Sequence, residues 1–364
     1  MTRRDFLQTA SLSAAVVALP RFAVADELSF NPSPSDGWRS FEVTTRVTPV
    51  AGTTRVWLPL PSLQDETWVK PMGNLWRGNA ADMRSAIDPI YGAQMLIASW
   101  DVGNRQAPEL ELVSRFSVRD RAVDFRRPAR VPPLDPATLA LCTRATRLIP
   151  IDGIVRKTAR DITRGKAYDL DRARAIYEWV VENTERNPKT RGCGLGDIRV
   201  MLETGDLTGK CADLNALYVG LACAVGLPAR DLYGIRVGAS RFGYVSLGKS
   251  GDISKAQHCR AEVWLRDYGW VPVDPADVRK VVLEERPGLT LKDQIVVVVR
   301  KRLFGAWESN WLPYNTAHDV ALLGSSGPVI PYLMYPQGEA HGERLDSLDP
   351  EAFVYTITAK EIRA

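Results

Sequence analysis

The chain lacks several features that usually announce a function. After the first 25 residues it has no run of about 18 or more consecutive apolar residues, which excludes a membrane-spanning helix of ordinary length. It has only three histidines, His258, His318 and His341. No pair of His, Cys or carboxylate residues shows a recognisable zinc or calcium spacing, so no metal or other cofactor is expected. Charge of one sign is also missing: 47 basic residues face 43 acidic ones, a formal net charge of +4. Nothing in that balance suggests a nucleic-acid partner. The five cysteines, Cys142, Cys193, Cys211, Cys223 and Cys259, are an odd number, so at least one stays unpaired unless chains cross-link. Internal repeats and low-complexity segments are absent.

What is present begins with an export signal. "TRRDFLQ" (2 to 8), an Ala/Ser-rich apolar stretch from Ala10 to Leu19 and the Ala23-Val24-Ala25 site read as a cleavable leader, and adjacent Arg3 and Arg4 resemble a twin-arginine signal. Its removal takes away three arginines and one aspartate, lowering the formal charge from +4 to +2. The expected product is an exported protein, periplasmic or secreted, that folds before export and does not need disulfides.

The remaining 339 residues change character twice. Residues 26–125 read as a small β-sandwich-like domain, with Phe41, Val43, Thr45 and Val47 alternating, then Val56, Leu58 and Leu60, then Leu110, Leu112, Phe116 and Val118. "RRPARVPPLDP" (126–136) carries four prolines and three arginines and has neither period, as expected of a linker. Residues 137–280 then turn helical: Asp152 caps a helix that ends by Gly165, and "DLDRARAIYEWVVEN" puts Leu170, Ala173, Ile176, Tyr177 and Val180 on one face. In "GKCADLNALYVGLACAVGLPAR" (209–230), Leu214, Leu217, Tyr218, Leu221 and Val225 mark an amphipathic helix ended by Gly226 and Pro228, with Cys211 in its first turn. "HCRAEVWL" (258–265) and "GWVPVD" (269–274) form a hairpin around Arg266-Asp267-Tyr268. Residues 281–364 are expected to complete the core, although "LKDQIVVVVRKRLFGAW" fits a strand by its valines and a buried helix by its length.

A thiol at a helix N-terminus faces unpaired N–H groups and the positive end of the dipole, which favour thiolate by roughly 0.3 to 2 kcal/mol. Useful ionisation at neutral pH then needs a second group, ordinarily a histidine. In the hairpin strand, Cys259, Ala261, Val263 and Leu265 alternate toward the core, so His258 projects to the opposite, more polar face. If Arg266 to Tyr268 form a three-residue loop, Leu265 pairs with Gly269 and Asp274 lies opposite Arg260, one diagonal step from His258 and able to hold its ring. A four-residue loop without a bulge would put the two on opposite faces.

Together these three segments resemble the core of the transglutaminase-like superfamily, over about residues 150 to 280. The resemblance implies an α+β papain-like core with Cys211 as nucleophile, His258 as base and Asp274 as orienting carboxylate. It also implies acyl transfer or hydrolysis at amide bonds, on a protein or peptide substrate, through a thioester. Cell-wall peptide is one candidate substrate, and water is the default acceptor, so hydrolysis is favoured over cross-linking. The alternative from a different class is a non-catalytic binding or scaffold protein with a relic triad. The backbone N–H of Cys211 is the natural oxyanion donor, with no second donor assigned.

The other candidates have plainer readings. Cys223 belongs to the core and Cys259 points inward, whereas Cys193 in "RGCGLGD" is a loop thiol or a reversible partner for Cys211. Asp277 rivals Asp274. Lys210 and Asp213 read as solvated residues at a helix start, with holding a thiolate the alternative for Lys210, and His318 and His341 read as surface histidines. Phe304, Trp307, Trp311, Tyr314, Tyr332 and Tyr335 are read as core packing outside the site.

Overall fold

The computed structural model of the chain describes residues 29–33, 37–48, 52–101, 108–129 and 131–363. The export signal expected at residues 1 to 25 lies outside them. Seven α-helices and several antiparallel sheets among the described residues make the α+β architecture expected from the sequence. At its centre is a helix, Cys211–Ala224, lying on a four-stranded sheet in the order Gly269–Val273, Gln257–Leu265, Ala229–Arg236, Trp311–Asn315. Leu217 and Leu221 of the helix pack with Ala261, Val263, Val271 and Val273 of the sheet, each buried leucine stabilising by about 1.5–3 kcal/mol.

This helix is not one-sided. Every residue from Cys211 to Cys223 is buried, because helices Gly153–Ile162, Asp169–Asn183, Ile198–Thr204 and Pro275–Glu284 cover the face that would otherwise meet water. Small residues on that face permit the approach: a Cβ at Gly220 would stand 2.1 Å from the Ile198 side chain. The ambiguous valine segment is helical over Gln294–Arg302, with Val296 and Val299 buried and Val297 exposed, so the helical period prevails over β propensity.

Two five-stranded sheets form the sandwich. One runs Gly251–Asp252, Val354–Ile362, Arg39–Thr48, Leu110–Val118, Val69–Gly78, and the other Glu343–Arg344, Gln337–Ala340, Thr53–Leu60, Gln94–Ser99, Asp82–Ile87. Val47, Leu110 and Leu112 of the first meet Val56, Leu58 and Leu96 of the second, while Phe41, Val43 and Phe116 of the first pack on Leu232, Ile235 and Trp311 of the central sheet. The C-terminal segment, expected to complete the core, divides its strands between the layers. Trp311–Asn315 joins the central sheet, whereas Val354–Ile362 pairs along the whole of Arg39–Thr48, from Ser40 opposite Ile362 to Thr48 opposite Val354. That pairing covers a sheet edge that would otherwise stand open.

Candidate active site

The cysteine side is built by one carboxylate. Asp213, in the first turn of the central helix, accepts from the backbone N–H groups of Lys210 (2.9 Å), Leu195 (3.0 Å) and Gly196 (2.9 Å). It therefore ties the helix start to the loop that carries Cys193, and Ala212 N–H adds a bond to Cys193 O at 2.9 Å. The loop glycines follow from this contact: Gly194 has φ +93°, and a Cβ there would stand 1.8 Å from the Asp213 carboxylate. Asp213 is consequently buried, not solvated as the sequence suggested, and burial raises its pKa.

The result is a cluster of three thiols. The sulfurs of Cys193, Cys211 and Cys259 all lie within 4.8 Å of one another. Hydrogen bonds from Cys193, then from Cys259, hold the Cys211 thiol well below its ordinary pKa against the opposing effect of burial, and His258 adds to the shift. Cys193 moves the other way, chiefly through its bond to Cys211, and Cys259 is raised chiefly by burial. The Cys193 S–H also has the Gln257 carbonyl within reach at 3.3 Å. Of the three thiols, Cys211 is therefore the one that ionises most readily.

The histidine side is built by the hairpin. Arg266 to Tyr268 form the three-residue loop, Gly269 has φ +70°, and pairing runs from Leu265 opposite Gly269 to Ala261 opposite Val273, after which Asp274 leaves the strand as the N-cap of the next helix. His258 Nε2 lies 2.7 Å from Asp274 Oδ2 and 3.4 Å from Asp277 Oδ2. Both carboxylates are fully engaged: Asp274 Oδ1 accepts from Asp277 N–H (3.1 Å) and Asn215 Nδ2 (3.3 Å), and Asp277 Oδ1 from Arg236 Nη2 (2.5 Å). Asp274 thus also caps the helix Pro275–Glu284. Trp311 Nε1 donates to His258 O at 3.0 Å, fixing the backbone behind the ring.

Burial and the Arg236 charge pull the His258 pKa down, but Asp277 and Asp274 more than offset them and raise it to about 10. The two carboxylates diverge. Burial, then the Asp277 charge, raises Asp274, whereas Arg236 and His258 together overcome burial and hold Asp277 well below the usual range. Asp277 is therefore the more firmly ionised of the pair, and Asp274 makes the shorter bond to the ring.

The structure brings Cys211, His258 and Asp274 into one cluster, with Asp277 beside them instead of excluded by Asp274. Arg236, whose guanidinium anchors Asp277, had no signal in the sequence. Phe304, Trp307, Trp311 and Tyr314 are packed in cores. Tyr335, however, lies against Cys193 and lines the cleft, and Tyr332 donates its hydroxyl to Gly194 O at 2.5 Å. His318 is not the surface residue expected from the sequence: it is buried, its Nδ1 is 3.2 Å from Tyr233 Oη, and burial lowers its pKa to about 4, leaving it neutral. His341 is exposed. Cys223 is in the core, donating to Cys142 O at 3.1 Å, and burial pushes its thiol up to about 12.

Two groups have metal-ligand atoms within 4.8 Å of one another, the three thiols and His258 with Asp274 and Asp277. All four oxygens of the second group are already taken by His258, Arg236, Asn215 and the Asp277 N–H. A cleft of about 470 Å³ opens over Cys211 and His258, and Gln257 and Tyr335 are among its lining residues. Gln257 Nε2 is buried without a hydrogen-bond partner among the described residues. No helix among the described residues is long and apolar enough to cross a membrane.

Residues 156–275 match the family model of the transglutaminase-like superfamily core. An uncharacterised protein of Haemophilus influenzae is 36% identical over 327 residues, covering 85% of this chain and 87% of its own. Among solved structures, a candidate cysteine protease of Cytophaga hutchinsonii superposes with a TM-score of 0.55 at 13% identity, covering 90% of this chain and 92% of that one. That likeness concerns the fold. The periplasmic domain of TgpA from Pseudomonas aeruginosa aligns at a TM-score of 0.36 and 15% identity, over 74% of this chain and 94% of its own, too loosely to carry an argument.

Proposed function

The chain belongs to the transglutaminase-like superfamily, and from that membership we propose that it is a cysteine enzyme acting on amide bonds through Cys211, His258 and Asp274. The observation that supports this most is the pairing of opposite shifts: a thiol held low at a helix start, beside an imidazole held high by two carboxylates. Such a pair favours thiolate and imidazolium, the state that acts without a prior proton transfer.

The steps follow from that state. The Cys211 thiolate attacks the amide carbon, and the carbonyl oxygen takes the negative charge. The N–H of Cys211 has no acceptor among the described residues, and with Gln257 Nε2 it is available to that oxyanion. His258 passes its proton to the leaving nitrogen, the C–N bond breaks, ammonia or an amine departs, and a thioester remains. Neutral His258 then takes a proton from water or from a second amine as it attacks the thioester carbon. The C–S bond breaks, and the Cys211 thiolate and His258 imidazolium are restored. Asp274 keeps the ring in place and stabilises its charged form throughout.

Water is the acceptor in this proposal, so the enzyme is a hydrolase of protein or peptide substrates. The test uses dye-labelled peptides carrying glutamine side chains, peptide bonds or γ-glutamyl bonds, with and without an added primary amine. We expect hydrolysis with little amine incorporation, falling by roughly 10³-fold or more in Cys211→Ala and His258→Ala. Turnover that survives in Cys211→Ala would contradict the proposal, and dominant amine incorporation would convert it to cross-linking. Export through the Arg3-Arg4 signal is part of the same reading: lysine at both positions should retain the protein in the cytoplasm, and unchanged export would remove the twin-arginine element.

A further inference from the structure

The cleft over Cys211 is charged in a way the whole chain is not. Its lining includes seven basic side chains and no aspartate or glutamate, in a chain whose formal net charge is only +4. Four of the seven are paired with three carboxylates: Arg186 and Lys280 share Glu284, Arg191 pairs with Asp346, and Arg236 with Asp277. The other three, Lys210, Lys249 and Lys255, make no close ion pair among the described residues, and the charges of Lys249 and Lys255 act only on the exposed Asp252 between them.

All three line the cleft that opens over Cys211 and His258. Lys210 immediately precedes Cys211 at the helix start. Lys249 and Lys255 flank the two-residue strand Gly251–Asp252, which is hydrogen-bonded to Val354–Ile362, and Lys255 lies three residues before His258. The lysine loop is thus tied to the sandwich and lines the cleft. Leu348, Pro350 and Phe353 from the C-terminal segment add apolar surface to the lining. A concave site lined by one sign of charge concentrates ligands of the opposite sign and favours their binding.

We propose that the cleft takes an acidic peptide as acyl donor, with carboxylates on either side of the amide attacked by Cys211, held by Lys210 on the helix side and by Lys249 and Lys255 on the hairpin side. This specificity rests on the acyl-transfer reading of Cys211 and His258. The proposed chemistry needs an acyl donor, which a peptide supplies in its amides and the phosphodiester backbone of an equally anionic nucleic acid does not.

The test separates binding from turnover. The mature protein carrying Cys211→Ala is titrated with a short dye-labelled peptide that has glutamates on both sides of a glutamine, and with versions in which the glutamates are glutamines or lysines. Fluorescence anisotropy is expected to show the acidic peptide binding at least about tenfold tighter than the neutral one at low salt, the difference shrinking at ~0.3 M salt. Lys249 and Lys255 are exposed, so Lys249→Glu with Lys255→Glu should fold normally, which the melting temperature checks, and should lose the preference. Equal affinity for all three peptides, or an acidic preference untouched by the double variant, would overturn the inference. So would tighter binding of a dye-labelled oligonucleotide than of the acidic peptide. Turnover by the unmodified enzyme is read on the same peptides. Hydrolysis of neutral and acidic peptides alike, with equal binding, sinks the charge preference and leaves the acyl chemistry standing. Acidic-selective binding without Cys211-dependent turnover supports the preference and sinks the chemistry.

Discussion

At the start of the helix, the thiols of Cys193 and, from the hairpin strand, Cys259 crowd around the Cys211 sulfur and favour its ionisation. On the hairpin side, Arg236, Asp277, His258, Asp274 and Arg260 bury five ionisable groups in a continuous chain of contacts, Arg260 Nε standing 3.7 Å from Asp274 Oδ2. Thiols are inexpensive to bury, since a neutral S–H behaves as a small apolar group with a weak donor. Buried charges are tolerated only as a complete set, because removing one leaves another uncompensated. The two walls therefore differ in what they contribute: the hairpin wall couples the candidate site to folding, whereas the helix wall adjusts one pKa with little stake in stability.

The largest effect should come from the hairpin wall. Asp277→Asn leaves the Arg236 guanidinium, only 4% exposed, without its anion. The expected loss is about 3–5 kcal/mol in urea unfolding, and a loss below about 1 kcal/mol would collapse the contrast between the walls.

Stability against pH sharpens the same point. His258 has a folded pKa of about 10 against an ordinary 6.5, so it contributes stability that is fully present below 6.5 and is lost as pH rises toward 10. Asp277 is held below its ordinary 3.8, so its contribution is present above that value and is lost as pH falls below it. Thermal melts should be most favourable between those limits. In His258→Gln the decline between 6.5 and 10 should flatten, and an identical decline would assign it to other groups.

The smallest stability effect belongs to the helix wall. Cys193→Ala should cost no more than about 2 kcal/mol yet raise the Cys211 pKa, because the Cys193 hydrogen bond is the foremost support of the thiolate. A large stability loss with an unchanged thiol would reverse the roles given to the two walls.

What the sequence made legible is local. The cysteine helix and its Gly226-Pro228 exit, and the hairpin register that puts Asp274 by His258, are set by residues within about one element of each other. Contacts made by distant segments left no such trace. Cys193 reaches Cys211 only because Asp213 bonds to the N–H groups of Leu195 and Gly196, and the isolated Asp reads as an ordinary helix-start residue. Arg236 sits at the end of a strand whose period says nothing of Asp277, 41 residues later. His318 looks like a surface residue because its neighbours are turn formers, and it is buried by Tyr233 and Tyr91 from other elements. The pairing of Val354–Ile362 with Arg39–Thr48 spans most of the chain, and alternation alone does not choose a partner strand.

The most direct measurement is the rate of iodoacetamide labelling of Cys211 against pH, followed by peptide mass spectrometry on the folded mature protein with His258→Ala in parallel. The predicted result is a thiolate that titrates well below the ordinary value of about 8.5 and moves upward in His258→Ala. Labelling only after unfolding, or the titration of an ordinary free thiol in both proteins, would contradict a working pair of Cys211 and His258.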